Sequence, residues 1–290
     1  MELGSRFGIL GGDRRQLYLA QALARDGHTV YVCGFEGDLL PQCVKTAELE
    51  ELLQGCSVMV LPVPVTRDGV HLNMPYSKGK IVLDDCFAAR MAGKQVFCGG
   101  AQRLRNSSAL WEQMALFDYT EQELFAVQNA VPTAEGAVMM AMELSPKTVH
   151  GAMCLVVGYG RIGKALCRML RALGAQVMVS ARNSGDLAWI AAQGCKAVRT
   201  EEMESLGEAY DVIFNTVPAV VVREKLLAKQ GTETLLMELA SAPGGFDREA
   251  AAKLGRKIVP ALGLPGKVAP HTAGVIIQNT IYEMMRSETL

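Results

Sequence analysis

The sequence predicts an α/β protein made of two doubly wound parallel-sheet domains, the second a Rossmann dinucleotide-binding domain. Three observations predict this. Short apolar runs recur along the chain, followed by glycine-bearing loops and then by apolar residues at helical spacing. One such run, Cys154–Val157, leads into Gly158-Tyr159-Gly160-Arg161-Ile162-Gly163, a G-x-G-x-x-G loop between strand and helix. An earlier unit repeats its layout: Gly11 matches Gly158, Gly27 matches Gly174 and Val30 matches Val177, an offset of 147 (158 less 11). The 290 residues suffice for two ordinary domains, and a hydrophobic half of the chain gives each a core.

Taken in order, Phe7–Leu10 reads as a strand, residues 11–16 as a loop, Leu17–Arg25 as a helix stopped by Gly27, and Thr29–Cys33 as the next strand. At the offset, Asp13 stands in the place of Gly160 and Gln16 in that of Gly163. A carboxylate at the close-approach position would repel a pyrophosphate, and a glutamine would hold helix and strand apart. The first copy is therefore not expected to bind a dinucleotide. Its helix N-terminus, with Arg14 and Arg15 beside it, suits a substrate carboxylate; two solvated arginines in a first turn would look the same.

Cys56–Val65 reads as a buried strand ending in Pro62 and Pro64, and Thr66–Lys78, with Arg67, as a polar loop facing a cleft. Ile81–Leu83 and Gln95–Cys98 are apolar runs of strand length. Pro132-Thr133-Ala134-Glu135-Gly136 has the form of a helix start, Thr133 as N-cap and Glu135 in the first turn. Ala137–Leu144 is apolar almost all round and should be buried between layers or domains. Ser145–Thr148 reads as a linker. The expected organisation is an N-terminal domain over 1–144, a cofactor domain over 145–270, and a last helix, within 271–290, returning to the first.

In the cofactor domain Gly158 permits the tight turn, Gly160 the approach of a pyrophosphate and Gly163 close packing of helix on strand, with Arg161 and Ile162 between them. A helix over Lys164–Leu173 and a strand over Gln176–Ser180 follow. An NAD site carries Asp or Glu at the end of that strand. Here Ser180-Ala181-Arg182-Asn183 stands there, Arg182 as a cation for a 2′-phosphate and Ser180 and Asn183 as hydrogen-bond donors. The expected cofactor is NADP in preference to NAD. The strand over residues 211–215 ends in Thr216-Val217-Pro218, and another over 235–239 ends in residues 240–245. Both turns are candidates to face the cofactor.

Twenty-nine basic against 30 acidic residues give no reason to expect nucleic acid or an anionic membrane as partner. No apolar run approaches the length of about 18 residues that spans a membrane. The eight cysteines are scattered without a C-x-x-C pair, which points to free thiols in a reducing cytoplasm and to no metal site.

Four stretches together carry a resemblance: Gly11-Gly12-Asp13-x-Arg15-Gln16, Pro132-Thr133-x-Glu135-Gly136, the glycine loop with Ala181-Arg182, and Gly263-Leu264-Pro265-Gly266-x-Val268-Ala269-Pro270-x-Thr272-Ala273-Gly274. The chain resembles the A subunit of bacterial dipicolinate synthase over nearly its whole length. The resemblance implies an oxidoreductase acting in the mother cell of a sporulating bacterium, with the B subunit of dipicolinate synthase as partner. The substrate it implies is a cyclic dicarboxylate, 4-hydroxy-tetrahydrodipicolinate or its dihydro form, oxidised to the aromatic dicarboxylate. Arg14 and Arg15, then Arg67 and Lys267, are the candidates to bind the two carboxylates. Glu135 and His271 are the candidates to take the departing proton. A homo-oligomer is expected.

Pro270-His271-Thr272-Ala273-Gly274 is also similar to the P-H-I-A-G end of D-2-hydroxyacid dehydrogenases, whose histidine is the acid/base. Against that reading, Ala242 stands where those enzymes carry the carboxylate-binding arginine, and residues 255–270 hold no Asp or Glu to pair with the histidine. A non-catalytic NADP-binding subunit is a third possibility, opposed by the cations and the histidine.

Overall fold

The structure is a computed structural model that describes residues 4–36 and 42–287. Its contacts divide the chain into two units, Met1–Asn129 with Ala269–Leu290, and Ala130–Val268. The boundary falls inside a helix, so Ser145–Thr148, read as the linker, lies within the second unit.

The first unit contains β1 (Arg6–Leu10), α1 (Arg14–Arg25), β2 (Thr29–Cys33), β3 (Lys45–Thr46), α2 (Leu49–Gly55), β4 (Val58–Val60), α3 (Asp85–Ala89), β5 (Gln95–Cys98), α4 (Ala101–Arg105) and β6 (Ala115–Asp118). α5 (Glu123–Leu144) runs from this unit into the next. The second unit continues with β7 (Met153–Val157), α6 (Arg161–Ala172), β8 (Gln176–Ala181), α7 (Ser184–Ala192), β9 (Lys196–Arg199) and β10 (Val212–Asn215). It is completed by α8 (Glu224–Leu227), β11 (Leu235–Glu238), α9 (Arg248–Lys253), β12 (Ile258–Pro260) and α10 (Leu264–Val268). α11 (Pro270–Ser287) belongs to the first unit.

Each unit has one six-stranded sheet, ordered β3-β2-β1-β4-β5-β6 in the first and β12-β11-β10-β7-β8-β9 in the second. The second order, read backwards, repeats the first, and every strand pair is parallel. Both sheets thus have the doubly wound order, in which the direction of winding reverses beside the first strand. The expected α/β class holds. The offset of 147 (158 less 11) also holds element by element: β1 and β7, α1 and α6, and the starts of β2 and β8 all superpose in number. Strands such as Cys154–Val157 are buried along their length, as parallel strands covered on both faces must be.

Three readings fail for tertiary reasons. The run Ile81–Leu83 forms no strand; Val82 makes only an isolated bridge to His71. The strand read over Cys56–Val65 shrinks to Val58–Val60, because the chain leaves the sheet before Pro62. The helix expected to start from Thr133 as N-cap instead begins at Glu123, ten residues before that position, and passes through Pro132. Proline there costs one backbone hydrogen bond, to the carbonyl of Gln128. Burial of Phe125 in its first turn, and of Ala130, Ala134, Ala137, Val138 and Ala141 along one face of the remainder, outweighs that loss. The opposite face is open: Met139 and Met142 are about half exposed, at 48% and 49%, so the segment is not buried all round. Gly136 lets α5 approach α10, since a Cβ there would lie 2.9 Å from the Leu264 Cβ.

α11 lies against α1. A Cβ on Gly274 would sit 2.7 Å from the Arg15 carbonyl, so the backbones touch there. Asp26, capping α1, accepts from Gln278 Nε2 at 2.8 Å and from the Tyr282 hydroxyl at 2.9 Å. His28 is buried between Phe7 and Tyr282, with ring centroids 5.0 and 5.9 Å away, and neither ring nitrogen has a hydrogen-bond partner among the described residues. Burial holds its pKa below the ordinary 6.5, partly offset by Asp26. The unfolded chain therefore takes up this proton first, and the fold should lose stability as pH falls below 6.5. His28→Phe is expected to raise stability by about 1 kcal/mol at neutral pH, by removing two orphaned polar atoms. It should also flatten the stability profile below that pH. Urea midpoints measured across the range check this; an unchanged slope would exonerate His28.

Candidate cofactor and substrate sites

The glycine loop of the second unit has the geometry a pyrophosphate requires. Gly158 sits at φ +97°, which side chains disfavour, and a Cβ there would lie 2.7 Å from the Thr216 hydroxyl. A Cβ on Gly163 would meet the Gly158 carbonyl oxygen at 2.2 Å. Gly160 differs. Its φ of −76° is ordinary, and its Cβ would meet nothing within 4 Å. It leaves space over the first turn of α6, whose N–H groups receive no side-chain cap from it. That open cradle fits a dinucleotide. Arg161 is exposed and Ile162 half-buried in the same turn.

The end of β8 corrects two expectations. Ser180 is fully buried, and its backbone carbonyl and hydroxyl both take the Gly158 N–H, at 3.1 and 3.3 Å. It supports the loop from below and has no exposure to a ligand. Asn183 caps α7, accepting from the Asp186 N–H at 2.7 Å and donating to its carboxylate at 2.6 Å. Arg182 is exposed, and its guanidinium makes no hydrogen bond or ion pair among the described residues. Beside it stands Arg199, opposite Ala181 in the β8–β9 register. Arg199 donates to the Arg182 carbonyl at 3.2 Å and to the Ser184 hydroxyl at 3.1 Å. Sequence reading missed this second cation, because only strand pairing brings it there.

On the other side of the loop, the Thr216 hydroxyl donates to the Val157 carbonyl at 2.8 Å, and the Val217 N–H to Asn215 Oδ1 at 3.2 Å. These groups shape the turn, while Pro218 is exposed beyond it.

In the first unit the expected anion site is largely consumed by its own charges. Asp13, the N-cap of α1, accepts the Arg15 N–H at 3.0 Å, Nε at 2.9 Å and Nη2 at 2.7 Å. Arg15 Nη2 also donates to the Val63 carbonyl at 2.5 Å. Arg15 is buried, so it anchors the loop after β4, and little of it remains for a ligand. Burial pushes the Asp13 carboxyl up, but the hydrogen bonds and charge of Arg15 outweigh it and hold the group below 3.8. Gln16 lies inside the helix; its Oε1 accepts the Asp13 N–H at 3.1 Å and completes a capping box. Its side chain folds back over Gly12, where a Cβ would lie 2.5 Å from that oxygen.

Arg14 is exposed. Arg67, also exposed, donates through Nε to Asn73 Oδ1 at 3.1 Å. Asn73 in turn bonds the Pro64 carbonyl at 3.0 Å and receives the Gly12 N–H on its own carbonyl at 2.8 Å. Arg103, another cation that sequence reading missed, holds the Thr66 carbonyl at 2.6 Å. The structure therefore gathers Asp13, Arg15, Arg67 and Asn73 where β1 and β4 end. His271, in the same unit, is exposed on α11 and packs edge-on against Tyr18 at 5.2 Å. Glu135 and Lys267 belong to the second unit and are both exposed. Glu135 sits in mid-helix, not in a first turn.

Comparisons with known proteins agree with this architecture. Residues 6–119 match the family model for the N-terminal domain of the dipicolinate synthase A subunit. Residues 120–236 match the D-isomer specific 2-hydroxyacid dehydrogenase, NAD binding domain. The dipicolinate synthase A subunit of Bacillus subtilis (strain 168) is 32% identical over 288 residues, 98% of this chain and 97% of that protein. The crystal structure of the dipicolinate synthase A subunit from Bacillus halodurans superposes with a TM-score of 0.86 at 31% identity, covering 98% of this chain and 99% of that one. A transhydrogenase from Sinorhizobium meliloti, 14% identical with a TM-score of 0.68 over 97% and 94% of the two chains, shares the fold alone. Fold, glycine loop and relatives together define an NAD(P)-dependent oxidoreductase. Within that class, the chain belongs to the family of dipicolinate synthase A subunits.

No helix among the described residues is long and apolar enough to cross a membrane.

Proposed function

We propose that the chain oxidises a cyclic dihydropyridine dicarboxylate to dipicolinate with NADP as acceptor. Family membership supports the product. The observation that carries the cofactor assignment is the open cradle at Gly160 next to the paired cations Arg182 and Arg199, with no carboxylate at the end of β8. Backbone N–H groups of residues 160–163 would hold the pyrophosphate, Arg182 and Arg199 the 2′-phosphate, and the 216–218 turn would line the nicotinamide half. When bound, the nicotinamide accepts a hydride. The ring also loses a proton, and aromatisation drives the step, so the protein's contribution is positioning and exclusion of water. If 4-hydroxy-tetrahydrodipicolinate is the starting compound, loss of water precedes the oxidation.

Arg14 and Arg67 are the exposed cations proposed to meet the ring carboxylates, with Lys267 as a further candidate; Arg15 acts by holding the loop on which Arg67 stands. The protein is proposed to work with the B subunit of the synthase, as a homo-oligomer, in the mother-cell cytoplasm of a sporulating bacterium. The test is turnover. Chain, NADP and hydroxy-tetrahydrodipicolinate, with and without the partner, should give NADPH and dipicolinate in equal amounts. NADPH without dipicolinate would refute the substrate assignment.

Arg182→Ala and Arg199→Ala are each expected to reduce the preference for NADP over NAD about tenfold, as one charge-assisted contact contributes about 1.5–3 kcal/mol. Titrating both cofactors against each variant checks this; an unchanged ratio removes that arginine from the site.

Glu135 is the proposed proton acceptor. Glu135→Gln is expected to lower kcat more than about tenfold, and His271→Ala less than that, since no carboxylate among the described residues pairs with the His271 ring. A loss of 10²–10⁴ at His271, the range for a true general base, would reverse the ranking and favour a hydroxyacid-dehydrogenase mechanism.

A further inference from the structure

β10 and β11 end side by side, with Asn215 opposite Glu238 in the parallel register. Both side chains are buried, at 0% and 2% exposure, although each stands at the ligand-facing end of its strand. A buried carboxylate is costly unless its oxygens are satisfied. Glu238 has no cation partner among the described residues. Instead Oε1 accepts Asn215 Nδ2 at 2.5 Å and the Ala240 N–H at 3.1 Å, while Oε2 accepts the N–H groups of Gly245 and Phe246 at 2.8 and 3.4 Å. All the partners are donors, the set an acceptor-only carboxylate uses in full. Asn215 then reaches the neighbouring turn, donating to the Val217 carbonyl at 2.9 Å and accepting its N–H.

The surrounding chain is shaped to this pair. A Cβ on Gly245 would lie 2.3 Å from Asn215 Oδ1, and one on Gly244, at φ +84°, 2.6 Å from Glu238 Oε2. The 216–217 turn in turn abuts the glycine loop, 2.7 Å from a Cβ placed on Gly158. An apolar residue could end β11 without burying a charge. What the carboxylate adds is the joining of the 216–218 and 240–246 turns to each other and to the cofactor loop.

We infer that Asn215 and Glu238 form a latch that sets the nicotinamide half of the cofactor site, with Glu238 as a positioning residue. In this sheet order the adenosine half lies over β7 and β8, and the second mononucleotide half over β10 and β11. The inference rests on the dinucleotide reading of the loop and is independent of the NADP preference.

Glu238→Gln replaces one acceptor oxygen with a donor that must face N–H groups. The experiment titrates wild type and variant with NADP and with its fragment 2′,5′-ADP, and with NAD and ADP, following ligand-induced shifts of thermal unfolding. The expected result is a loss of at least about tenfold in affinity for the full dinucleotides with fragment affinity unchanged. Equal losses for dinucleotide and fragment, or none, would overturn the latch. Loss of NADP-over-NAD discrimination in the wild type would count against the 2′-phosphate reading and leave this comparison intact. Should the variant fail to fold, hydrogen exchange on the wild type decides. Amides of residues 217, 240–242 and 244–246 should be protected by NADP beyond the level given by 2′,5′-ADP, and equal protection refutes the inference.

Discussion

Gly160→Ala is expected to leave the folded protein unchanged and to weaken dinucleotide binding about a hundredfold. The three glycines of the loop differ in what constrains them. Gly158 and Gly163 are required by the fold itself: one has φ +97°, and the other would place a methyl 2.2 Å from a backbone carbonyl. Alanine at either should unfold the loop whatever ligand is present. Gly160 has φ −76° and ψ −162°, and its Cβ would have no neighbour within 4 Å. The duplicated unit shows the same position occupied. Asp13, at φ −105° and ψ −164°, stands at the same point before α1 and carries a full side chain. A methyl at residue 160 therefore strains nothing until a pyrophosphate comes down on the α6 N-terminus. Displacing it from one or two charge-assisted N–H bonds costs about 3 kcal/mol, or about a hundredfold. Thermal unfolding of the empty variant and a fluorescence titration with NADPH separate the two effects. Undiminished affinity would remove the cradle from the binding site; a large fall in unfolding temperature would show that Gly160 supports the fold after all.

The same contrast explains what could be read from the chain. Gly158 and Gly163 of the loop, and Gly11 of its offset copy, were legible because their constraints are steric and local: a positive φ at Gly11 and Gly158 and a close approach at Gly163 favour glycine. The placement of Arg182 was legible because it lies directly after a strand. Arg199 was not, since it arrives 17 residues later through pairing of β9 with β8. Ser180 read as a ligand donor because β8 seemed to end there, but the strand runs to Ala181 and turns the hydroxyl under the loop. Pro132-Thr133 carried a genuine helix-start signal that packing overrode, since Phe125 is buried ahead of the proline and the apolar face from Ala130 to Ala141 runs past it. Arg15 read as a free cation although its partner, Asp13, stood two residues before it. The N-cap geometry that turns the carboxylate onto Arg15 exists only once the helix has formed.

Asp13→Asn is expected to destabilise the protein by about 3 kcal/mol at neutral pH, the cost of leaving a buried partner charge unpaired. Asparagine keeps a side-chain oxygen for the N-cap, so the variant isolates the charge from the capping. Arg15 is 9% exposed along its side chain and Asp13 20%, so solvent offers the orphaned guanidinium little relief. Asp13→Ala removes the cap as well and should cost about 1 kcal/mol more. The pH dependence has a definite sign. Because the folded carboxyl lies below 3.8, its stabilisation is complete above that value and is lost as pH falls through the lower folded value. The wild type should therefore show an acid limb below pH 3.8 that Asp13→Asn lacks. Replacing both partners, as Asp13→Asn with Arg15→Met, should be less harmful than Asp13→Asn alone, because it removes the buried charge along with its counterion. Urea unfolding of the three proteins at neutral and acid pH tests the set, read as midpoint shifts at constant slope. If Asp13→Asn costs less than about 0.5 kcal/mol, the pair is not what holds the loop after β4. Arg15 would then be free to meet a substrate carboxylate directly, and its removal should weaken substrate binding without touching stability. If the full loss appears, Arg15 acts on the substrate only through the loop it anchors. Arg15→Lys, which keeps the charge but not the two-pronged grip on Asp13, should then impair both together.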